Sequence, residues 1–170
     1  MSSIELLDLV SQSDEVIGVS TRDEIYRNKQ KNFRVINAFI INKSKKIFIP
    51  KRNGNKKLFP SCLDCSVGGH VQSGETYEQA FFRETQEELN LEPKQLPFEC
   101  IGYLSPFEVP ISAFMKVFLI YFDHEINYSK DDFEDASWYS IQELKDLNEK
   151  KVPAKGDFYF LINLLIEKLS

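Results

Sequence analysis

The chain has 170 residues, 42% of them hydrophobic and 28% charged, with 21 lysines and arginines against 26 aspartates and glutamates. A net charge of -5 argues against wholesale electrostatic binding to nucleic acid, and no apolar run reaches the roughly 20 residues of a membrane span. A chain of this length can bury a sizeable core, so one domain over residues 1–170 is expected.

No basic segment precedes an apolar one at the N-terminus, so no secretory signal is read. Three cysteines, Cys62, Cys65 and Cys100, do not suit a disulfide framework. Cys62 and Cys65 form a C-x-x-C pair, but no second pair completes a structural zinc site. A redox pair belongs at a helix start, whereas Pro60 precedes this one and a strand is expected after it. The thiols read as structural, in a reducing, cytoplasmic compartment.

Residues 4–10 and 15–20 are short β-rich runs around a polar loop, which predicts a hairpin. Thr21 and Glu24 have the spacing of a capping box, predicting a short helix over 22–28. Residues 33–41 are apolar and β-branched, a central strand; 47–52 form the return strand, where Pro50 signals an edge or the strand's end. Asn53-Gly54-Asn55 breaks the chain. Lys51, Arg52, Lys56 and Lys57 make a basic cluster there, either a solvated loop or a neutraliser of phosphate charge.

Gly68-Gly69 reads as a glycine-rich turn before a helix over 77–90, where no Gly or Pro interrupts good helix formers. Ser73 and Thr76 both qualify as its N-cap, and Asn90 suits a left-handed stop. Ala80, Phe81 and Leu89 can face inward. Glu84, Glu87 and Glu88 stand at i, i+3 and i+4, so they share one face with Cβ atoms roughly 5–6 Å apart. Taken alone, three glutamates also describe a solvated acidic face. A divalent cation would turn their repulsion into binding, and oxygen-only donors suit Mg²⁺ or Mn²⁺.

Strands are expected over 98–104 and 112–122, with a proline-bearing loop at 105–110 between them. Residues 124–130 read as loop and 131–135 as an acidic segment before Trp138. Ser140 and Glu143 form a second capping-box pattern, opening a helix to about residue 148. Residues 152–156 break it, and 157–169 form an amphipathic terminal helix.

The long pattern around the glutamates is specific. Gly69, Glu75, Arg83, Glu84, Glu87, Glu88 and Leu91 stand at the spacing of the Nudix box, and the segment resembles that family. Thr85 replaces the usual aliphatic and Asn90 the usual glycine; neither removes a carboxylate. The resemblance implies an α/β (α+β) fold, an α/β/α sandwich with a mixed sheet. It also implies an Mg²⁺-dependent hydrolase, with Mn²⁺ as a substitute, acting on a small-molecule diphosphate such as a nucleoside diphosphate derivative. No specific nucleic acid or membrane is implied as a partner, and a homodimer is allowed. Carried over by position, Glu84, Glu87, Glu88 and the Gly68 carbonyl are the metal ligands, and Arg83 is an organiser pairing with Glu75 or a box carboxylate. Glu87 is the first choice of general base, with Asp132 and Glu134 as alternatives on a loop. Arg52 and Lys56 are the phosphate contacts, and Gly69 belongs to the substrate site.

Residues 51–60 and 63–70 also resemble the isopentenyl-diphosphate isomerase branch of the family. The branch's Ser-Val-Cys-Gly-His is Ser66-Val67-Gly68-Gly69-His70 in this chain, and a glycine can supply no proton. Of the histidines its metal site needs, only His70 is in place, and the later acidic strand maps to Ile111 and Ala113. Hydrolysis is therefore expected rather than isomerisation, and His70 is expected to support the site rather than ligate metal. A non-catalytic binding module on the same fold is the remaining alternative.

Overall fold

The computed structural model describes residues 3–170. Strands β1 (Leu6–Val10) and β2 (Val16–Thr21) form the expected hairpin, and α1 (Arg22–Arg27) follows through the capping box of Thr21 and Glu24. Strands β3 (Arg34–Ile41), β4 (Ile47–Arg52) and β5 (Val67–His70) lead to helix α2 (Tyr77–Leu89). A short 3₁₀ turn, Pro93–Gln95, precedes β6 (Phe98–Leu104), β7 (Phe114–Tyr121) and β8 (Phe133–Tyr139). Helices α3 (Ile141–Glu149) and α4 (Phe158–Leu169) close the chain.

The main sheet runs β6-β7-β3-β4-β8, with β5 also paired to β3. β3 and β7 are parallel and the other pairs antiparallel, so the sheet is mixed. Alternation along β3 divides the core. Ile36, Ala38 and Ile40 pack with Phe81 and Leu89 of α2; Phe39 and Ile41 pack with Leu144 of α3 and with Leu161 and Leu165 of α4. Phe81 stacks on Phe118 of β7, ring centroids 4.1 Å apart, which seats α2 on the sheet. The result is the expected α/β/α sandwich.

Three readings are corrected. Gly68 and Gly69 lie in β5, not in a turn. Residues 133–139 form a strand that the charge of the acidic run concealed. Pro50 lies on an interior strand, because β4 sits between β3 and β8. It is tolerated there because β4 meets β3 only at Ile47, opposite Ile41; beyond that point β5 takes over the edge of β3. Buried Ser66 bridges the fork, accepting from Ile40 N at 2.9 Å and donating to the Phe48 carbonyl.

One carboxylate of the hairpin loop gathers three donors from the rest of the molecule. Asp14, in left-handed backbone (φ 60°), accepts from Arg34 Nε at 2.6 Å, Tyr77 Oη at 2.7 Å and Tyr103 Oη at 2.6 Å. Asp14→Asn keeps the backbone preference, since Asn also tolerates this conformation, but leaves half-buried Arg34 without its counter-charge. Urea titration should show this variant less stable by roughly 3 kcal/mol.

Candidate active site

A cavity of about 480 Å³ opens where β4 and β5 diverge. Helix α2 supplies Glu84 and Glu88, β5 supplies Gly68, Gly69 and His70, and β4 supplies Arg52. Glu5, Arg22, Tyr26, Lys56, Asp64, Asp132 and Lys155 also line it. Thr76 and Gln79 form a capping box that fixes the start of α2, while Ser73 turns away to donate to Asp8. Asn90 ends the helix in left-handed backbone (φ 52°). Thr85 is fully buried and returns its hydroxyl to the Phe81 carbonyl at 2.7 Å, so its polarity is satisfied within the helix.

Arg83 holds the helix face to the strand. Its guanidinium donates to both carboxylate oxygens of Glu75 (2.7 and 3.0 Å), to Glu84 (2.8 Å), to Glu87 (3.4 Å) and to the His70 carbonyl (3.0 Å). The bidentate contact with Glu75 orients the fork. Gly69 is needed because α2 lies so close: a Cβ there would stand 2.6 Å from Glu84 Cγ and closer still to its carboxylate. Gly68 N donates to Glu88 Oε1 at 3.3 Å.

Glu84 and Glu88 are carboxylates in an unfavourable place. Burial raises Glu84 to about 7, against the pull of Arg83 and with help from neighbouring Glu87 and Glu5. Burial also pushes Glu88 well above the usual carboxylate range, and Glu84, Asp64 and Asp132 add to this. Glu87 differs: its side chain is 58% exposed and does not line the cavity. Among the described residues no three acidic, histidine or cysteine side chains form a ready-made metal cluster. The donor set nevertheless fits a hard cation. Mg²⁺ is commonly held by one or two carboxylates, with water and substrate phosphate filling the remaining positions.

The other expected residues are distributed unevenly. Asp132 lines the cavity and accepts from Lys56 Nζ at 2.7 Å. Glu134 lies outside the cavity lining, held by Lys51 (3.1 Å), Gly54 N (2.9 Å) and Ser61 Oγ (3.3 Å). Arg52 lines the cavity, but its donors go to Asp64 (2.7 Å) and to the carbonyls of Leu58 and Phe59. His70 Nε2 meets Tyr26 Oη at 2.8 Å, and burial lowers its pKa to about 3, so it is neutral at ordinary pH.

Sequence reasoning missed Asp64 and Lys155. Asp64 lies inside the C-x-x-C pair, between buried Cys65 and half-buried Cys62, both free thiols. Lys155 comes from a segment read only as a helix break, and no local pattern marks it.

The NUDIX domain model matches residues 31–162. The chain belongs to the Nudix family. It is 46% identical over 164 residues to an uncharacterized Nudix hydrolase of Nostoc sp., covering 96% of this chain and 97% of the relative. It is also 40% identical over 160 residues to a Nudix hydrolase of Deinococcus radiodurans, covering 94% and 93%. A crystal structure of a Deinococcus radiodurans protein superposes with a TM-score of 0.88 at 41% identity, covering 94% of this chain and 98% of that one. The present chain is thus a Nudix hydrolase with the fold of that family.

Raising the pKa of Glu84 from 4.5 to about 7 makes its ionisation a cost to the cation-free fold. Between those values the native state binds more protons than the unfolded chain, so this group's contribution falls as pH rises. In metal-free urea titrations, Glu84→Gln should gain roughly 3 kcal/mol relative to wild type between pH 4.5 and about pH 8.

Proposed function

We propose that this Nudix hydrolase cleaves a diphosphate linkage in a nucleoside diphosphate derivative or similar organic pyrophosphate, with Mg²⁺ as its cation and Mn²⁺ as a substitute. One observation carries the reading: two carboxylates, half-buried Glu84 and buried Glu88, line a cavity whose other walls bear Arg22, Arg52, Lys56 and Lys155. Acids placed there are costly alone and favourable around a cation that a diphosphate can share. When bound, the cation neutralises phosphate oxygens and makes water a better nucleophile.

The chain's own groups supply position and proton transfer. Glu84 and Glu88 are assigned as ligands from the cavity side. The Gly68 carbonyl is assigned with them: its N–H points to Glu88, and a strand residue's N–H and C=O face the same edge. Glu87 joins after turning inward from its exposed rotamer, a change that breaks only the 3.4 Å contact with Arg83. Arg83 fixes Glu84 and, through the His70 carbonyl, the approach of β5. Gly69 leaves room for that carboxylate beside the substrate.

Of the base candidates Glu87, Asp132 and Glu134, Asp132 is the one that lines the cavity, and it is assigned the proton from the attacking water. Its partner Lys56 then turns to the phosphate, and Arg52 keeps Asp64 and residues 58–59 in place at the phosphate side. Neutral His70 supports the wall with Tyr26.

A panel of nucleoside diphosphate derivatives, assayed for cleavage with and without Mg²⁺, tests the reading. At least one should be hydrolysed only with the cation. Glu88→Gln and Asp132→Asn should each lower kcat about 10²-fold or more, and Glu87→Gln should cost less. Folded protein that cleaves nothing on the panel would indicate a binding module instead.

A further inference from the structure

We propose that Lys155 is a further phosphate contact of the substrate, beside Lys56, taking the part that the resemblance gave to Arg52. The proposal rests on the hydrolase reading above and concerns a residue of the segment between α3 and α4. Four cationic side chains line the cavity: Arg22, Arg52, Lys56 and Lys155. Three are already engaged. Arg22 donates to Glu5 at 3.3 Å and Lys56 to Asp132 at 2.7 Å. Arg52 spends its fork on Asp64 and on the carbonyls of Leu58 and Phe59, at 2.7–3.2 Å. Those bonds make Arg52 the organiser of the loop leading to Phe59 and Ser61, both in left-handed backbone (φ 52° and 55°).

Lys155 differs. Its ammonium stands 3.8 Å from Asp64 Oδ2, beyond hydrogen-bond range, and it has no hydrogen-bond acceptor among the described residues. Asp64 is already satisfied by Arg52 at 2.7 Å and by Cys65 N at 2.8 Å. The Lys155 side chain is 37% exposed, and it faces the cavity. The charge of Asp64 raises its pKa, so it stays an ammonium at any working pH.

Its position suits a diphosphate. A Cβ on Gly68 would lie 3.7 Å from Lys155 Nζ, and the N–H of the same glycine points to Glu88. The ammonium and the ligand carboxylate therefore flank one residue. A diphosphate that places one phosphoryl group at Glu84 and Glu88 brings neighbouring oxygens to Lys155. The backbone is held for this: Leu63 N donates to the Pro153 carbonyl at 3.0 Å, Lys155 N to the Leu63 carbonyl at 2.9 Å, and Phe158 N to the Lys155 carbonyl at 2.9 Å. These bonds fix where the side chain starts, so no backbone ordering is needed for the ammonium to meet its anion.

Methylenediphosphonate, a diphosphate that cannot be hydrolysed, serves as the probe in calorimetric titrations with and without Mg²⁺. Lys155→Met should weaken its binding about 10-fold or more, the loss of a charge-assisted hydrogen bond, while Lys155→Arg should largely retain it. The side-chain ¹⁵N signal of Lys155 in wild-type protein, assigned by its absence from Lys155→Arg, should shift on adding the probe; this needs no neutral variant to fold. On a hydrolysed member of the panel, Lys155→Met should raise KM more than it lowers kcat. Unchanged affinity in folded Lys155→Met, or an unmoved ¹⁵N signal in wild type that binds the probe, overturns the role of Lys155 and leaves the hydrolase reading standing. Wild type that neither binds the probe nor cleaves any panel member overturns both.

Discussion

The structure depends on bringing carboxylates against a strand where water cannot fully solvate them. Helix α2 lies so close to β5 that no side chain fits at Gly69, and the carboxylate of Glu84 fills that space. Glu88 is 8% exposed and has one weak backbone donor, Gly68 N at 3.3 Å. Isolated buried charge is expensive, and such groups either take up a proton or acquire a cation. The raised pKa values of both glutamates express that tension in the cation-free chain. The fold sustains it by packing elsewhere: the stack of Phe81 on Phe118, the capping box at Thr76 and the Arg83–Glu75 fork keep α2 in place against the repulsion.

Around this centre the charges are sorted by engagement. Arg83 and Arg52 act on the protein itself, one fixing the helix to the strand and the other shaping the loop beyond β4. Lys56 and Asp132 form a half-buried pair at the cavity that a substrate can separate. Lys155 keeps only a 3.8 Å ion pair with Asp64 and no hydrogen bond among the described residues, which is why its position matters more than its place in the sequence suggests. In a chain with net charge -5, the cations at the cavity are a few placed side chains rather than a general positive field.

Much of this was legible from residues alone, and the limits have physical causes. Two helix starts were readable because a capping box is local chemistry, satisfied within four residues at Thr21 and Ser140; at α2 the sequence left Ser73 and Thr76 as alternatives, and the structure has the box at Thr76. The parallel β3–β7 pair and the fork between β4 and β5 join residues far apart in the chain, and no local pattern encodes them. β8 was hidden because much of it is exposed, so charged residues stand where alternation would mark a strand. The glycines of β5 looked like a turn because glycine is rare in strands; the crowding by Glu84 that explains Gly69 is a tertiary contact. Helical spacing placed Glu84, Glu87 and Glu88 on one face, but it could not show that Glu87 points to solvent while its neighbours face a cavity. Asp14, Asp64 and Lys155 owe their roles to partners far away in the chain.

The central claim, that Glu84 and Glu88 at the cavity gather a divalent cation, is tested most directly by titrating Mn²⁺ into the protein and following free ion by electron paramagnetic resonance. Wild-type protein should deplete the free-ion signal, and Glu84→Gln/Glu88→Gln protein of intact fold should leave it close to that of buffer. Equal depletion by both proteins would contradict the account.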